Sequence, residues 1–277
     1  MKQTFEEYYS TLFSQRWPSL KNALSSEGIH AVLNAGKEPY YLDPASLCAA
    51  LCLPLEQKKS IADLCAAPGG KSLVTALGME EDACLDANER SASRKNRLVS
   101  VLDQTLPETI RERIHVTCSD AAPWCRTKQE CYDAILLDAP CSSERHVLAD
   151  PKYLGQWTPA RIKSLAMEQW ALLSCAWRLL KTGGHVLYAT CALNPSENDG
   201  VVSRLLKKFD NAQVLTSEQI REIFCHRLAA LNPYICCGSL NLEELFSCAE
   251  QTNYGLHLLP DTAFSCGPLY FSLISKC

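Results

Sequence analysis

The 277-residue chain has no apolar run of membrane-spanning length. Its longest nearly uncharged apolar stretch, Leu47 to Leu55, falls far short of the ~20 residues a bilayer demands. The opening Met-Lys-Gln-Thr-Phe-Glu-Glu has no apolar signal core, so secretion and membrane partnership are not expected and a cytoplasmic location is. A mitochondrial one stays open if the source is eukaryotic. Positive charge is not in excess: 27 basic against 31 acidic residues give −4 and a pI near 5.9, without the global signature of a nucleic-acid binder. Cys-x-x-Cys is missing despite sixteen cysteines. That number is below the ~8–10% of small disulfide scaffolds, so a reducing compartment and mostly packing thiols are expected. No metal site is expected, although Cys225-His226 and Cys236-Cys237 leave one open. Internal repeats and low-complexity linkers are also lacking.

What is present is a globular composition, 47% apolar and 21% charged, in a length that suits one large domain or somewhat more. Phe5, Tyr8, Tyr9, Leu12 and Phe13 recur at helical spacing, and the first 45 residues read as mostly helical. Short apolar runs then alternate with amphipathic segments. The runs are Ile61–Leu64, Ala83–Leu85, Ile114–Cys118, Ala134–Leu137 and His185–Tyr188, an α/β pattern with a parallel sheet covered on both faces. Tyr254–Leu259 and Leu269–Ile274 read as a C-terminal hairpin that adds an antiparallel strand. Local charge is uneven: Arg145, Lys152, Arg161, Lys163, Arg178 and Lys181 dominate residues 144 to 181, as a positive field or as solvated helix faces.

Ligands of open α/β sheets sit beyond the carboxyl ends of the strands. After the first run comes Cys65-Ala66-Ala67-Pro68-Gly69-Gly70-Lys71-Ser72, small residues opening a helix, where backbone N–H groups can approach a ligand. A phosphate-binding P-loop fails at Cys65, where glycine is required, and Gly-x-Gly-x-x-Gly is not found. An ordinary strand-to-helix turn is the plain alternative. Asp86, Asn88 and Glu89 follow the second run, where an acid commonly holds ribose hydroxyls, and spacing alone does not choose between the carboxylates. Asp120 follows the third as a site acid or a turn residue. The fourth ends in Asp138-Ala139-Pro140-Cys141 and the fifth in Thr190-Cys191, which brings two thiols and a carboxylate to one mouth.

Asp63-Leu64-Cys65-Ala66-Ala67-Pro68-Gly69-Gly70-Lys71, Asp138-Ala139-Pro140-Cys141-Ser142 and Thr190-Cys191-Ala192-Leu193-Asn194-Pro195-Ser196-Glu197-Asn198 together resemble the Sun (Fmu, Nol1/Nop2/Sun) family of RNA cytosine-5 methyltransferases. The resemblance runs from about Tyr41 to the C-terminus. Cys141 to His146 is most similar to the branch with mitochondrial rRNA and tRNA members. The resemblance implies a Rossmann-like methyltransferase fold, with a mostly parallel seven-stranded sheet, a catalytic domain over 46–277 and a helical extension over 1–45. It implies S-adenosylmethionine along Cys65, Ala66, Ala67, Pro68, Gly69, Gly70 and Lys71, with the ribose on Glu89, which stands five residues before Arg94. Asp120 would lie by the adenine, and Asp138 between cofactor and base.

Cytosine carbon 5 is too weak a nucleophile to take a methyl group until a thiolate adds at carbon 6. The resemblance implies that Cys191 is this nucleophile, that Cys141 helps release the product, and that Asp138 stabilises the protonated ring. The target base leaves its stack, which favours an unpaired site, with Lys152, Arg161 and Lys163 as phosphate contacts. Ribosomal RNA is the first expected partner and transfer RNA the second, with a protein adaptor a further option because little chain precedes the cofactor loop. A protein or small-molecule methyltransferase leaves both thiols idle, and a non-catalytic RNA-binding scaffold gives no reason for the pair.

Overall fold

The computed structural model describes residues 3–277. Nine strands form the main sheet: β1 (Ser60–Asp63), β2 (Cys84–Asn88), β3 (Ile114–Thr117), β4 (Tyr132–Asp138), β5 (Leu180–Thr190), β6 (Ala212–Val214), β7 (Glu250–Gln251), β8 (Leu256–Leu258) and β9 (Leu269–Lys276). Their order is β7-β8-β9-β5-β4-β1-β2-β3, with β6 also on β9. β5 to β3 are parallel and β9 runs antiparallel to β5 and β8. The expected hairpin is therefore present. The count exceeds seven because β6 and β7, three and two residues long, are too short to read from periodicity.

Side chains of the central strands alternate between two cores, as the pleat requires. Ala134, Leu136, Leu187, Ala189, Leu269, Phe271 and Leu273 face one core with the helix Pro44–Leu51. Ile135, Leu137, Val186, Tyr188, Tyr270 and Ile274 face the other, with Leu172, Leu173, Ala176 and Trp177 of the helix Pro159–Leu179. Proline at the start of that helix has no N–H to lose there and a preset φ.

The first 45 residues are helical only in part. Phe5–Phe13 and Trp17–Ser25 are helices, whereas Ala31–Leu33 and Tyr40–Leu42 are strands in an antiparallel three-stranded sheet completed by Ile235–Cys236. A third cluster anchors the N-terminal helices on the mouth of the main sheet. Phe5, Tyr9, Trp17 and Leu20 pack with Val147, Trp157 and Leu193. Tyr9 lies 5.3 Å from Trp17 in a stacked pair, and Phe5 meets Trp157 edge-on at 5.3 Å, arrangements worth about 0.5–1.5 kcal/mol each beyond their area.

Candidate active site at the strand ends

β1 has β4 on one side and β2 on the other, so the sheet reverses its order there and leaves a crevice at the carboxyl ends. Three cavities of 710, 170 and 120 Å³ open along it, and Cys65 borders all three. The loop Cys65–Lys71 is held by its own neighbours. Asp63, fully buried, accepts from Ser72 Oγ at 2.6 Å and from the Cys65 N–H at 3.3 Å, and Ala66 N–H reaches Asn88 O at 2.8 Å. Burial pushes the Asp63 carboxyl up to about 7 against these bonds. Gly69, at φ +121°, caps the helix Gly70–Gly78, and a Cβ there would stand 3.0 Å from Val101. Its role is backbone shape. Lys71 donates to Asp138 at 2.7 Å and Ser46 at 3.2 Å. Burial opposes charge on Lys71, but the Asp138 carboxylate outweighs it and raises its pKa.

The acids after β2 stand in different surroundings. Asp86 accepts from the Tyr132 hydroxyl at 2.6 Å and lies 3.5 Å from His115, whereas Glu89 and Asp120 border the 120 Å³ cavity with Asn88 and Arg94. Glu89 Oε1 takes the Ser91 N–H at 2.9 Å. Its buried Oε2 lies 3.3 Å from Arg94 yet receives no hydrogen bond, so a buried acceptor stands open beside the cavity. Arg94 also donates to Ala67 O at 2.6 Å, tying this acid to the β1 loop. Asp120 accepts from the Ala122 N–H at 3.0 Å in a local turn at the cavity's edge.

Cys141 and Cys191 leave the ends of adjacent parallel strands, where Asp138 pairs with Ala189. Their sulfurs are 2.8 Å apart, and Ser143 Oγ lies 3.4 Å from Cys141 and 3.2 Å from Cys191. The contact with Cys191, then burial, pushes the Cys141 thiol well above the ordinary range. Both thiols and Asp138 border the 710 Å³ cavity, whose far wall holds His146, Tyr153, Trp157 and Arg161.

Sequence reasoning missed the side chains that hold the thiol loops together. Glu144 is fully buried and accepts from the hydroxyls of Tyr9 and Ser142 and from the Leu193 N–H at 3.0 Å. Glu197 answers from the other loop, with Oε2 accepting from the Ser142 N–H at 3.0 Å and from Gln169 Nε2 at 2.8 Å. Burial and then the Glu144 charge push Glu197 up to about 7. Arg145, counted above in the positive field, donates instead to the carbonyls of Gly267, Ser265 and Ser26. Arg178 lies 5.8 Å from the Phe209 ring, and Lys181 pairs with Asp133 at 2.9 Å. Of the six cations, Arg161 reaches the mouth. Among the described residues no group of three or more His, Cys, Asp and Glu is disposed to hold a metal, and no helix is long and apolar enough to cross a membrane.

The family model described as 16S rRNA methyltransferase RsmB/F matches residues 50–228. The chain is 31% identical over 238 residues to the 5-cytosine rRNA methyltransferase NSUN4 of Bos taurus, covering 84% of this chain and 58% of that protein. It is 35% identical over 213 residues to the ribosomal RNA small subunit methyltransferase F of Aeromonas salmonicida, covering 75% and 42%. The chain thus spans about three-fifths or less of these relatives. A methyltransferase homolog protein from Pyrococcus horikoshii superposes with a TM-score of 0.69 at 19% identity, covering 99% of this chain and 94% of that one, and shares the fold. By the match over residues 50–228 and these identities, the chain belongs to the RsmB/F family of 16S rRNA methyltransferases.

Proposed function

We propose that residues 46–277 are the catalytic domain of an S-adenosylmethionine-dependent RNA cytosine-5 methyltransferase and residues 1–45 its N-terminal extension. The observation that carries this reading is the thiol pair: two sulfurs 2.8 Å apart on adjacent strand ends, beside a 710 Å³ cavity and a half-buried lysine–aspartate pair. A methyltransferase for other acceptors has no use for two such thiols. The open Glu89 Oε2 beside a cavity bordered by Asp120 and Arg94 suits a ribose hydroxyl, and the loop Cys65–Lys71 suits the remainder of S-adenosylmethionine. When bound, that molecule supplies a methyl group on a positively charged sulfur.

The chain's own residues then divide the work at the base. Cys191 carries negative charge as nucleophile and forms the S–C6 bond, for which a thiolate is the competent species. Cys141 stands on the other side of the sulfur contact. It assists loss of the carbon 5 proton and cleavage of S–C6 after methyl transfer. Lys71 sets a cation near the thiols and orients Asp138, whose carboxylate faces the ring nitrogen that gains a proton. Tyr153 and Trp157 offer aromatic faces to an unstacked base, and Arg161 a phosphate partner. Ribosomal RNA is the preferred acceptor and transfer RNA the second, because both relatives above carry rRNA in their names.

The test is transfer of labelled methyl groups from S-adenosylmethionine to deproteinised total RNA, with the product nucleoside identified by mass spectrometry. The expected product is 5-methylcytidine, lost by about 10⁴-fold or more in Cys191→Ala. Label on protein, or on another nucleoside, overturns the proposal.

A further inference from the structure

The N-terminal helix touches both thiol loops through hydroxyl groups rather than through packing alone. Tyr9 is fully buried, and its hydroxyl donates to Glu144, the same carboxyl that accepts from Ser142 and from the Leu193 N–H. Ser142 adjoins Cys141, and Leu193 is two residues beyond Cys191. One turn-mate away, the Tyr8 hydroxyl accepts from Asn194 Nδ2 at 2.7 Å. The helix is thus fastened to the loop after β4 by one tyrosine and to the loop after β5 by the other.

We infer that Tyr9 is a positioning residue of the methyl-transfer site, acting through Glu144 to fix the Cys191 loop against the Cys141 loop. The inference rests on the function proposed above. Glu144 has two oxygens for three donors, and those donors come from three separate segments. Take away the Tyr9 hydroxyl and a buried carboxyl, whose pKa burial already raises, loses one of the donors that hold it as an acceptor. The carboxyl is then fixed by two donors only, Ser142 and the Leu193 N–H. Sub-ångström slack in that bridge is transmitted to sulfurs whose useful geometry is narrow, which is how a residue away from the chemistry changes the chemical step. Packing gives a different expectation. If Tyr9 only filled the aromatic cluster of Phe5, Trp17 and Trp157, phenylalanine would serve as well.

The experiment compares wild type, Tyr9→Phe and Leu20→Ala in the full chain, below the melting temperature of each. Leu20→Ala weakens the same N-terminal cluster and keeps every hydroxyl. Two readouts are taken: single-turnover methylation of total RNA, and iodoacetamide alkylation of Cys191 followed by peptide mass spectrometry, with exposed Cys84 as internal reference. Tyr9→Phe is expected to slow single-turnover methylation about tenfold, with KM for RNA and affinity for S-adenosylmethionine within twofold. Cys191 alkylation is expected to change at least threefold relative to Cys84. Leu20→Ala should leave both readouts near wild type despite its lower Tm. A Tyr9→Phe protein that matches wild type in the alkylation ratio, or a Leu20→Ala protein that reproduces its losses, overturns the inference. If wild type methylates no RNA, the function fails while the alkylation ratio still decides whether Tyr9 positions Cys191.

Discussion

The loop after β1 and the loops after β4 and β5 meet in one crevice but are braced from different distances. Asp63, Ser72, Gly69 and Asn88 hold the first from positions close in the chain or on the neighbouring strand. The other two are locked by Glu144, Glu197, Gln169 and Tyr9, with contacts that join positions 28 to 135 apart. A ligand present in every reaction of this class suits a cradle built from two adjacent strand–helix units. Under the proposed mechanism, two thiols at a fixed separation need both strand ends and the N-terminal helix in place.

The contrast is sharpened first by Glu89→Ala, which alters the locally built side. It removes the open acceptor at the 120 Å³ cavity and should weaken S-adenosylmethionine binding by about ten- to a hundredfold by calorimetry, the worth of a hydrogen bond to a charged group. Cys191 alkylation should stay at its wild-type rate. An alkylation change as large as the affinity loss would mean that the two sides are not separately braced.

A smaller effect comes from Glu197, on the remotely built side. Its carboxyl is pushed up to about 7 by burial and then by Glu144, so between about pH 4.5 and 7 the folded chain holds a proton that the unfolded chain has released. Stability contributed at this site is therefore present at low pH and falls as pH rises through that window, by at most about 1.4 kcal/mol per pH unit. Denaturation of wild type and Glu197→Gln across pH 4.5–8 should give curves whose difference shrinks against wild type up to about pH 7 and is then level. Parallel curves would place the ionisation elsewhere.

Legibility in the sequence followed the same division. Buried parallel strands show as apolar runs, so β1 to β5 and the final hairpin were readable, as were the motif residues that follow them. Cys141 and Cys191 were readable because each stands at the end of such a run, and the structure brings them into contact. Glu144 and Glu197 were not, because an acid at the start of a helical stretch has an ordinary explanation in the helix dipole. Only the fold reveals that both are buried and face opposite loops. Arg145 misled for the converse reason: a cation in a basic stretch looks solvent-facing, yet three carbonyls from two distant segments claim it. Ala31–Leu33 and Tyr40–Leu42 pair with each other nearby in the chain, but three residues are too few to show a period, and their third strand, Ile235–Cys236, lies some two hundred residues away.

Covalent trapping on total RNA is the most direct test of the central claim, that Cys191 bonds to the base and Cys141 releases it. Cys141→Ala should accumulate a denaturation-resistant protein–RNA adduct in the presence of S-adenosylmethionine, and Cys141→Ala/Cys191→Ala should accumulate none. Equal trapping by the single and double variants would contradict the assignment, and sequencing the captured RNA would then show what another nucleophile had reached.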